Sequence, residues 1–469
     1  MTFLDRSLTP WQRIAQGWMK LSAVSSRIFL NRYFYLFLFC LSAVIVVTEE
    51  QVRGAVLFVS IICLALVLCE DVLATTMPFL LLCVFVTPCY DSYDTFIQYL
   101  WMILPALAAV LFHFIVYRKP LQIGSTFWGL VAVSIALMLG GVGYIPAADY
   151  FRGGALYYTG FLGIGMVVAY LLLKSQLCVK RDYDVMEKFL TILYVMGIFT
   201  CFMVFHHLSG HWDTIRETKV IPDWQPSNNA STFLMIAMPC PFFFVSRNRA
   251  HLLAPFLIFG AMIASGSRSG LLLGAIELTI CLLLAAYWDS PRRFLYVCLT
   301  VGLIALVLWK REELLHLSVN LSWEDLISKD EARFKLLHRA QLAMDEWPIF
   351  GHGLGYRGNI DLYSPKRGGM EWYHMMIPQI CGSMGVVGIL AYSSQLILQV
   401  RSVFLPFRRL SMEERGLRLT LAMCYGGLLI MSQVNPGIFC PLPYTLIGTM
   451  IFALLDGNRG ISLLRRPKE

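Results

Sequence analysis

Apolar residues come in long blocks along this chain, and only short polar segments separate most of them. A helix that crosses a bilayer needs roughly 20 mostly apolar residues. Reading for such blocks gives about fourteen candidates, near 33–48, 54–69, 72–88, 99–117, 126–143, 154–174, 187–206, 229–246, 251–264, 269–287, 294–309, 374–398, 417–434 and 438–456. Between Trp309 and His374 runs the one long polar stretch. The pattern predicts an all-α polytopic membrane protein, about 12–14 transmembrane helices with one long extracytoplasmic loop containing short helices.

Composition agrees: 57% of residues are hydrophobic and 14% charged, with a mean hydropathy of +0.64. The expected organisation is a cytoplasmic or interfacial segment at 1–32, about eleven membrane helices over 33–309, and an extracytoplasmic catalytic loop at 310–373. About three further helices over 374–456 and a cytoplasmic tail at 457–469 complete it. Lys and Arg accumulate on the cytoplasmic side of membrane proteins. With the N-terminus inside, the inner segments hold 24 of them against 5 in the short outer segments, and the other nine lie in the long loop. Both termini are therefore expected in the cytoplasm and the loop outside.

The net charge of +8 is accordingly a matter of topology, and no basic patch with interleaved aromatics suggests a nucleic-acid partner. No small-residue cleavage site follows the first apolar block, which reads as an uncleaved anchor. Trp11, Ile14, Trp18 and Leu21 recur at helical spacing and suit a helix lying in the inner interface. Most of the thirteen cysteines fall within apolar blocks at no metal-ligand spacing, and they read as packing residues.

The long loop has its own internal signals. Ser328-Lys329-Asp330-Glu331 is a capping-box pattern, predicting a helix over 329–346 that Trp347-Pro348 ends. Such a helix lines up Phe334, Leu337, Gln341 and Met344 on one face. Gly353, Gly355 and Gly358 form a literal GxGxxG, but it follows a helix and no strand precedes it, so it is not a dinucleotide site. The glycines from Gly351 onward predict a tight turn that lets backbone come close to other groups.

Three further features carry chemistry. Arg268, within Ala264-Ser265-Gly266-Ser267-Arg268-Ser269-Gly270, has small neighbours at membrane depth, where an arginine is costly unless it meets an anion or a wet cavity. Its guanidinium fork suits phosphate oxygens. His374 stands where the chain re-enters the membrane and is able to accept a proton from a hydroxyl near neutral pH. Asn228 and Asn229 open the eighth block, either as helix caps or as ligands for sugar hydroxyls.

Taken in order, Arg333, Leu337, Ala340, Pro348, Gly351-x-Gly353-x-Gly355 and His374 resemble the signature region of the O-antigen ligase and O-antigen polymerase superfamily. Ser267-Arg268 resembles the family's Ser-Arg pair on an earlier outer helix end, and Asn228-Asn229 its asparagine-bearing helix entry. The ligase pattern of His, a polar residue, nine others and Gly-x-x-Gly falls on His374, Met375 and Gly385-Val386-Val387-Gly388. Met375 departs from the usual polar residue and Ile389 from the usual hydroxyl residue, which slightly favours polymerase over ligase.

The resemblance implies a glycosyltransferase of the bacterial cytoplasmic membrane that takes a glycan from an undecaprenyl-pyrophosphate carrier. The glycan would pass to a sugar hydroxyl on an acceptor glycan or glycolipid, with inversion and with neither metal nor cofactor. It implies Arg268 and Arg333 at the pyrophosphate, His374 at the acceptor hydroxyl, and Arg339, Arg357, Asn228, Asn229 and Ser267 as substrate contacts. The contrasting reading is a lipid-linked oligosaccharide flippase. Such folds usually show two related halves around a midplane site, and no such repeat is evident here.

Overall fold

The computed structural model describes residues 9–86, 98–145, 159–210, 227–309, 331–354, 373–435 and 442–461. Among them every regular element is helical and there are no strands. In a bilayer this is the expected outcome, because a helix satisfies its backbone polar groups within one segment. Each of the fourteen apolar blocks contains a helix. Among the described residues four helices are long and apolar enough to cross a membrane: Gln51–Leu68, Val185–Gly210, Ser269–Trp288 and Met376–Arg409. Shorter apolar helices and one pair bent by 61°, Ile14–Phe29 with Arg32–Val47, accompany them.

The chain divides into two compact units. The first holds α1 (Pro10–Phe29), α2 (Arg32–Val47), α3 (Gln51–Leu68), α4 (Leu73–Phe85) and α5 (Ile103–Val116), with α3 packed on α4 and α5. Thr9 and Gln12 form a capping box that starts α1. Trp11, Ile14 and Leu21 are exposed along α1, and the Trp18 indole N–H donates to the Tyr117 hydroxyl at 2.9 Å.

The second unit contains α6 (Thr126–Leu139), α7 (Met166–Leu177), α8 (Val185–Gly210), α9 (Ser227–Ala237), the short α10 (Cys240–Phe244), α11 (Leu253–Ala264), α12 (Arg268–Trp288) and α13 (Arg293–Trp309). It continues with α14 (Glu331–Glu346), α15 (Met376–Phe404), α16 (Met412–Met431) and α17 (Leu442–Ile461). Pro239 and Pro241 divide the eighth apolar block into α9 and α10, since neither has an N–H for the helical ladder.

One end of this unit is basic. There Arg247 pairs with Glu187 and Glu413. Nearby, the buried Asp456 carboxylate accepts from the Ser125 hydroxyl at 2.9 Å, the Thr126 N–H at 2.9 Å and the Tyr170 hydroxyl at 2.7 Å. The buried Arg418 guanidinium donates to the carbonyls of Ser402 and Leu455, each at 2.7 Å. These bonds tie α6, α7, α15, α16 and α17 together and leave the opposite end to carry the residues of interest.

α15 is not a continuous helix. Gly385 breaks it at φ 58° and ψ −150°. In an unbroken helix the N–H groups of Val386 and Val387 would bond the carbonyls of Gly382 and Ser383. Here residues 348–353 lie between the two halves and take both places. Val386 donates to Pro348 O at 2.8 Å and Val387 to Ile349 O at 3.2 Å, while His352 donates to Gly382 O at 2.7 Å and Gly353 to Ser383 O at 3.0 Å. Two helical bonds become four, so the break leaves none of these groups unpaired. A Cβ on Gly351 would stand 2.6 Å from Gly382 O, and one on Gly385 2.3 Å from Pro348 O. The close approach expected of the glycine turn is therefore made, at Gly351 and Gly353; Gly355 and Gly358 lie outside the described residues.

Candidate functional site

Of the residues singled out by the sequence, Asn228, Asn229, Ser267 and His374 gather at the end of the second unit opposite its basic end. Ser267 caps α12, its hydroxyl accepting from the Gly270 N–H at 3.1 Å. The same hydroxyl donates to the Asn228 side-chain oxygen at 2.9 Å, across to the first turn of α9. Asn228 is thus spent on a neighbouring helix and does not cap its own. Ser231 and Ser265 make a second hydroxyl contact between α9 and the end of α11, at 3.0 Å. Arg268 is the first residue of α12, and the placement of its side chain lies outside what the structure describes.

Asn229 is tied in from the other side. Its side-chain oxygen accepts from the Asn435 amide at 3.4 Å, and its backbone carbonyl accepts from the Tyr444 hydroxyl at 3.0 Å. Asn435 closes the turn that ends α16, where its N–H bonds Met431 O at 3.0 Å. From that turn Ser432 O receives the Met376 N–H at 2.8 Å. Hydrogen bonds linked through the adjacent pairs Asn228-Asn229 and Met431-Ser432 therefore connect Ser267, by way of Asn435, to the start of α15, two residues past His374.

His374 is half-buried and adopts φ 52°, a left-handed conformation uncommon outside glycine. Its neighbours fix it. The Tyr373 ring is buried and covers Gly382 so closely that a Cβ there would meet it at 2.6 Å. The Tyr373 N–H donates to the Gln379 side chain at 2.9 Å, which in turn donates to the Ser383 hydroxyl at 2.8 Å. Leu336 and Ala340 of α14 pack on Tyr373, with Met375 against the same cluster.

α14 spans Glu331–Glu346 and stops at Trp347-Pro348 as expected; Ser328 to Asp330 of the anticipated capping box lie outside the described residues. The face it buries differs from the most hydrophobic one. Leu336, Ala340 and Ala343 are inside, whereas Phe334 and Leu337 are exposed. A helix beside a bilayer has no reason to hide its largest apolar side chains, and the small ones allow the closer approach to Tyr373. Arg339 is half-buried at the edge of that contact. Arg333 lies in the first turn of α14 with its side chain outside the described residues, as is all of Arg357.

The sequence reading passed over a second cluster beside the break in α15. His352 is buried, with its ring stacked 3.9 Å from that of Tyr144 at 10°. Its Nε2 lies 3.1 Å from Glu346 Oε2, the oxygen that accepts the Tyr144 hydroxyl at 3.0 Å. Burial pushes the His352 imidazole below its ordinary range, and Glu346 opposes part of that shift. The Trp347 indole N–H donates to Val142 O at 2.9 Å beside it. Together these contacts pin the end of α14 to the end of α6. About 200 positions separate Tyr144 from its partners, and no local pattern marks such a pair.

The molecule is thus a polytopic, all-α membrane protein with a polar, asparagine- and serine-rich site at one end of a helical bundle. Residues 253–393, under a third of the chain, match the family model described as O-antigen ligase. The matched region includes Arg268, α14, the glycine turn, His374 and the break in α15. No curated protein and no solved structure matches the chain.

Proposed function

We propose that this protein is a cell-surface polysaccharide polymerase or ligase that takes a glycan from an undecaprenyl-pyrophosphate carrier at the outer face of the bacterial cytoplasmic membrane. The observation that carries the reading is the hydrogen-bonded path joining Ser267, Asn228, Asn229 and Asn435 to the entry of α15 beside His374. It sets a histidine and the helix end that begins with Arg268 at one end of one bundle, as a reaction between a hydroxyl and a pyrophosphate requires.

In the proposed reaction the acceptor hydroxyl oxygen attacks the anomeric carbon from the side opposite the pyrophosphate. The new glycosidic bond forms as the bond from that carbon to the pyrophosphate oxygen breaks, inverting the centre. The hydroxyl proton passes to His374, and the lipid pyrophosphate leaves with the electron pair. Arg268 and Arg333 stabilise the charge on the leaving oxygens, with Arg339 and Arg357 at the mouth of the site. The N-terminus of α12 adds its partial positive charge to that of Arg268. No divalent metal takes part.

Polymerase is favoured over ligase because Met375, in place of a polar residue, packs against Leu336, Ala340 and Tyr373. The 310–373 loop faces outward in this reading, and both termini face the cytoplasm.

Purified protein reconstituted with an undecaprenyl-pyrophosphate oligosaccharide and a chelator tests the proposal. The expected result is a ladder of lengthening chains, abolished by His374→Ala and reduced on the order of 10²–10³ by Arg268→Ala, as for a lost oxyanion donor. A single transfer to an added acceptor would identify a ligase. Movement of the lipid across the liposome with no transfer would overturn the transferase reading.

A further inference from the structure

Glu277 lies at the middle of α12, a membrane-crossing helix, and is fully buried. Neither of its carboxyl oxygens has a hydrogen-bond partner among the described residues. Among the described residues it forms no ion pair. The titratable groups facing it are the thiols of Cys281 on its own helix and Cys424 on α16. The thiol of Cys240 on α10 lies 3.6 Å from that of Cys424.

An ionised carboxylate in such a place costs far more than its neighbours return. A backbone carbonyl deprived of its helical partner faces the same glycine as Glu277. The Met235 carbonyl of α9 would bond the N–H four residues on, but that residue is Pro239. Glu277 Oε1 and Met235 O both approach the face of Gly427 on α16. A Cβ built there would be 2.2 Å from the first and 3.0 Å from the second. Glycine at 427 is what leaves room for the carboxyl.

We propose that Glu277 is an intramembrane proton-binding site: a neutral carboxylic acid whose O–H is given to the Met235 carbonyl, which Pro239 deprives of its helical N–H partner. One proton then removes the charge and satisfies the carbonyl together. It also joins α12 to α9 a second time, deeper than the Ser267–Asn228 bond. The inference does not depend on the transferase reading.

The test compares full-length wild type with Glu277→Gln and Glu277→Leu in lipid nanodiscs, following thermal unfolding from pH 5 to pH 10. Glutamine keeps the shape and a donor, so Glu277→Gln is expected to fold and to melt within a few degrees of wild type at pH 5, with Glu277→Leu melting lower. An unfolded glutamate loses its proton near pH 4.3. A proton retained only in the folded state therefore makes wild type lose stability relative to Glu277→Gln as the pH rises. A flat difference from pH 5 to pH 10 would mean that Glu277 is ionised in both states and would overturn the proposal. So would a Glu277→Gln variant that fails to fold, or one no more stable than Glu277→Leu.

Discussion

Ser267 performs two tasks with one hydroxyl, accepting from Gly270 N–H and donating to Asn228. Ser267→Ala removes both, so the expected loss is about 1–2 kcal/mol, a helix cap plus part of a buried hydrogen bond, read as a lower melting temperature. If the cross-helix bond also aligns the site, product formation falls more than stability alone accounts for; Ser267→Thr, which keeps the hydroxyl, restores most of both. His352 gives the pH dependence. Its folded-state value lies below the ordinary one, so as pH falls the unfolded chain takes up the proton first. Stability from this residue is complete above the usual histidine range near pH 6.5 and declines as pH drops below it. Melting curves from pH 8 to pH 5 should therefore fall more steeply for wild type than for His352→Gln. The slope of the difference cannot exceed about 1.4 kcal/mol per pH unit for one proton. Equal slopes would show that His352 titrates alike folded and unfolded.

The 348–353 segment and the break in α15 form one structural element built from two distant pieces of chain. Gly351→Ala tests it, because the new methyl meets the carbonyl of Gly382 and its backbone neighbours, and because Gly351 sits at φ 61°. The expected cost is on the order of 1–3 kcal/mol. It should appear locally as faster hydrogen exchange at Val386 and Val387, whose N–H groups bond Pro348 and Ile349. Unchanged exchange at those two amides would mean that the segment does not hold the break. This element also marks the limit of what the sequence reveals. Long apolar runs announce helices because a bilayer demands about 20 such residues, and every run contains one. The glycines announce close approach, and Trp347-Pro348 the end of α14. What they approach is not legible, since Gly382 and Ser383 are some thirty positions away and look like ordinary helix. The buried face of α14 misleads for a related reason: the large Phe334 and Leu337 are exposed while the small Ala340 and Ala343 are buried with Leu336, and hydrophobicity predicts burial only where water is the alternative.

At the scale of the molecule, the second unit has two chemically different ends. Arg247, Arg249, Arg292, Arg293, Arg401, Arg408, Arg409 and Arg415 border one, and the Ser267–Asn228–Asn229–Asn435 path occupies the other. The sequence already suggested this through the sidedness of Lys and Arg. Asn228, Ser267 and His374 were also legible individually, because each stands at a helix entry beside small or polar residues. Asn435, Tyr144, Glu346 and Glu277 were not. Their significance lies in partners brought together by topology, and a lone asparagine or glutamate carries no pattern of its own. If the basic end faces the cytoplasm, as the positive-inside rule requires, the site faces outward. A fluorescent protein fused after Glu469, which folds only in the cytoplasm, should then be bright. An epitope inserted after Lys366 should be reached by antibody on spheroplasts without permeabilisation. The same epitope inserted after Leu410, between α15 and α16 at the basic end, should be reached only after permeabilisation. The opposite pattern would turn the bundle over and put the path from Ser267 to His374 on the cytoplasmic face, where a carrier-linked glycan already flipped outward could not meet it. The orientation experiment is therefore also a test of the chemistry, because the histidine, the asparagines and the first turn of α12 cannot exchange ends independently of one another.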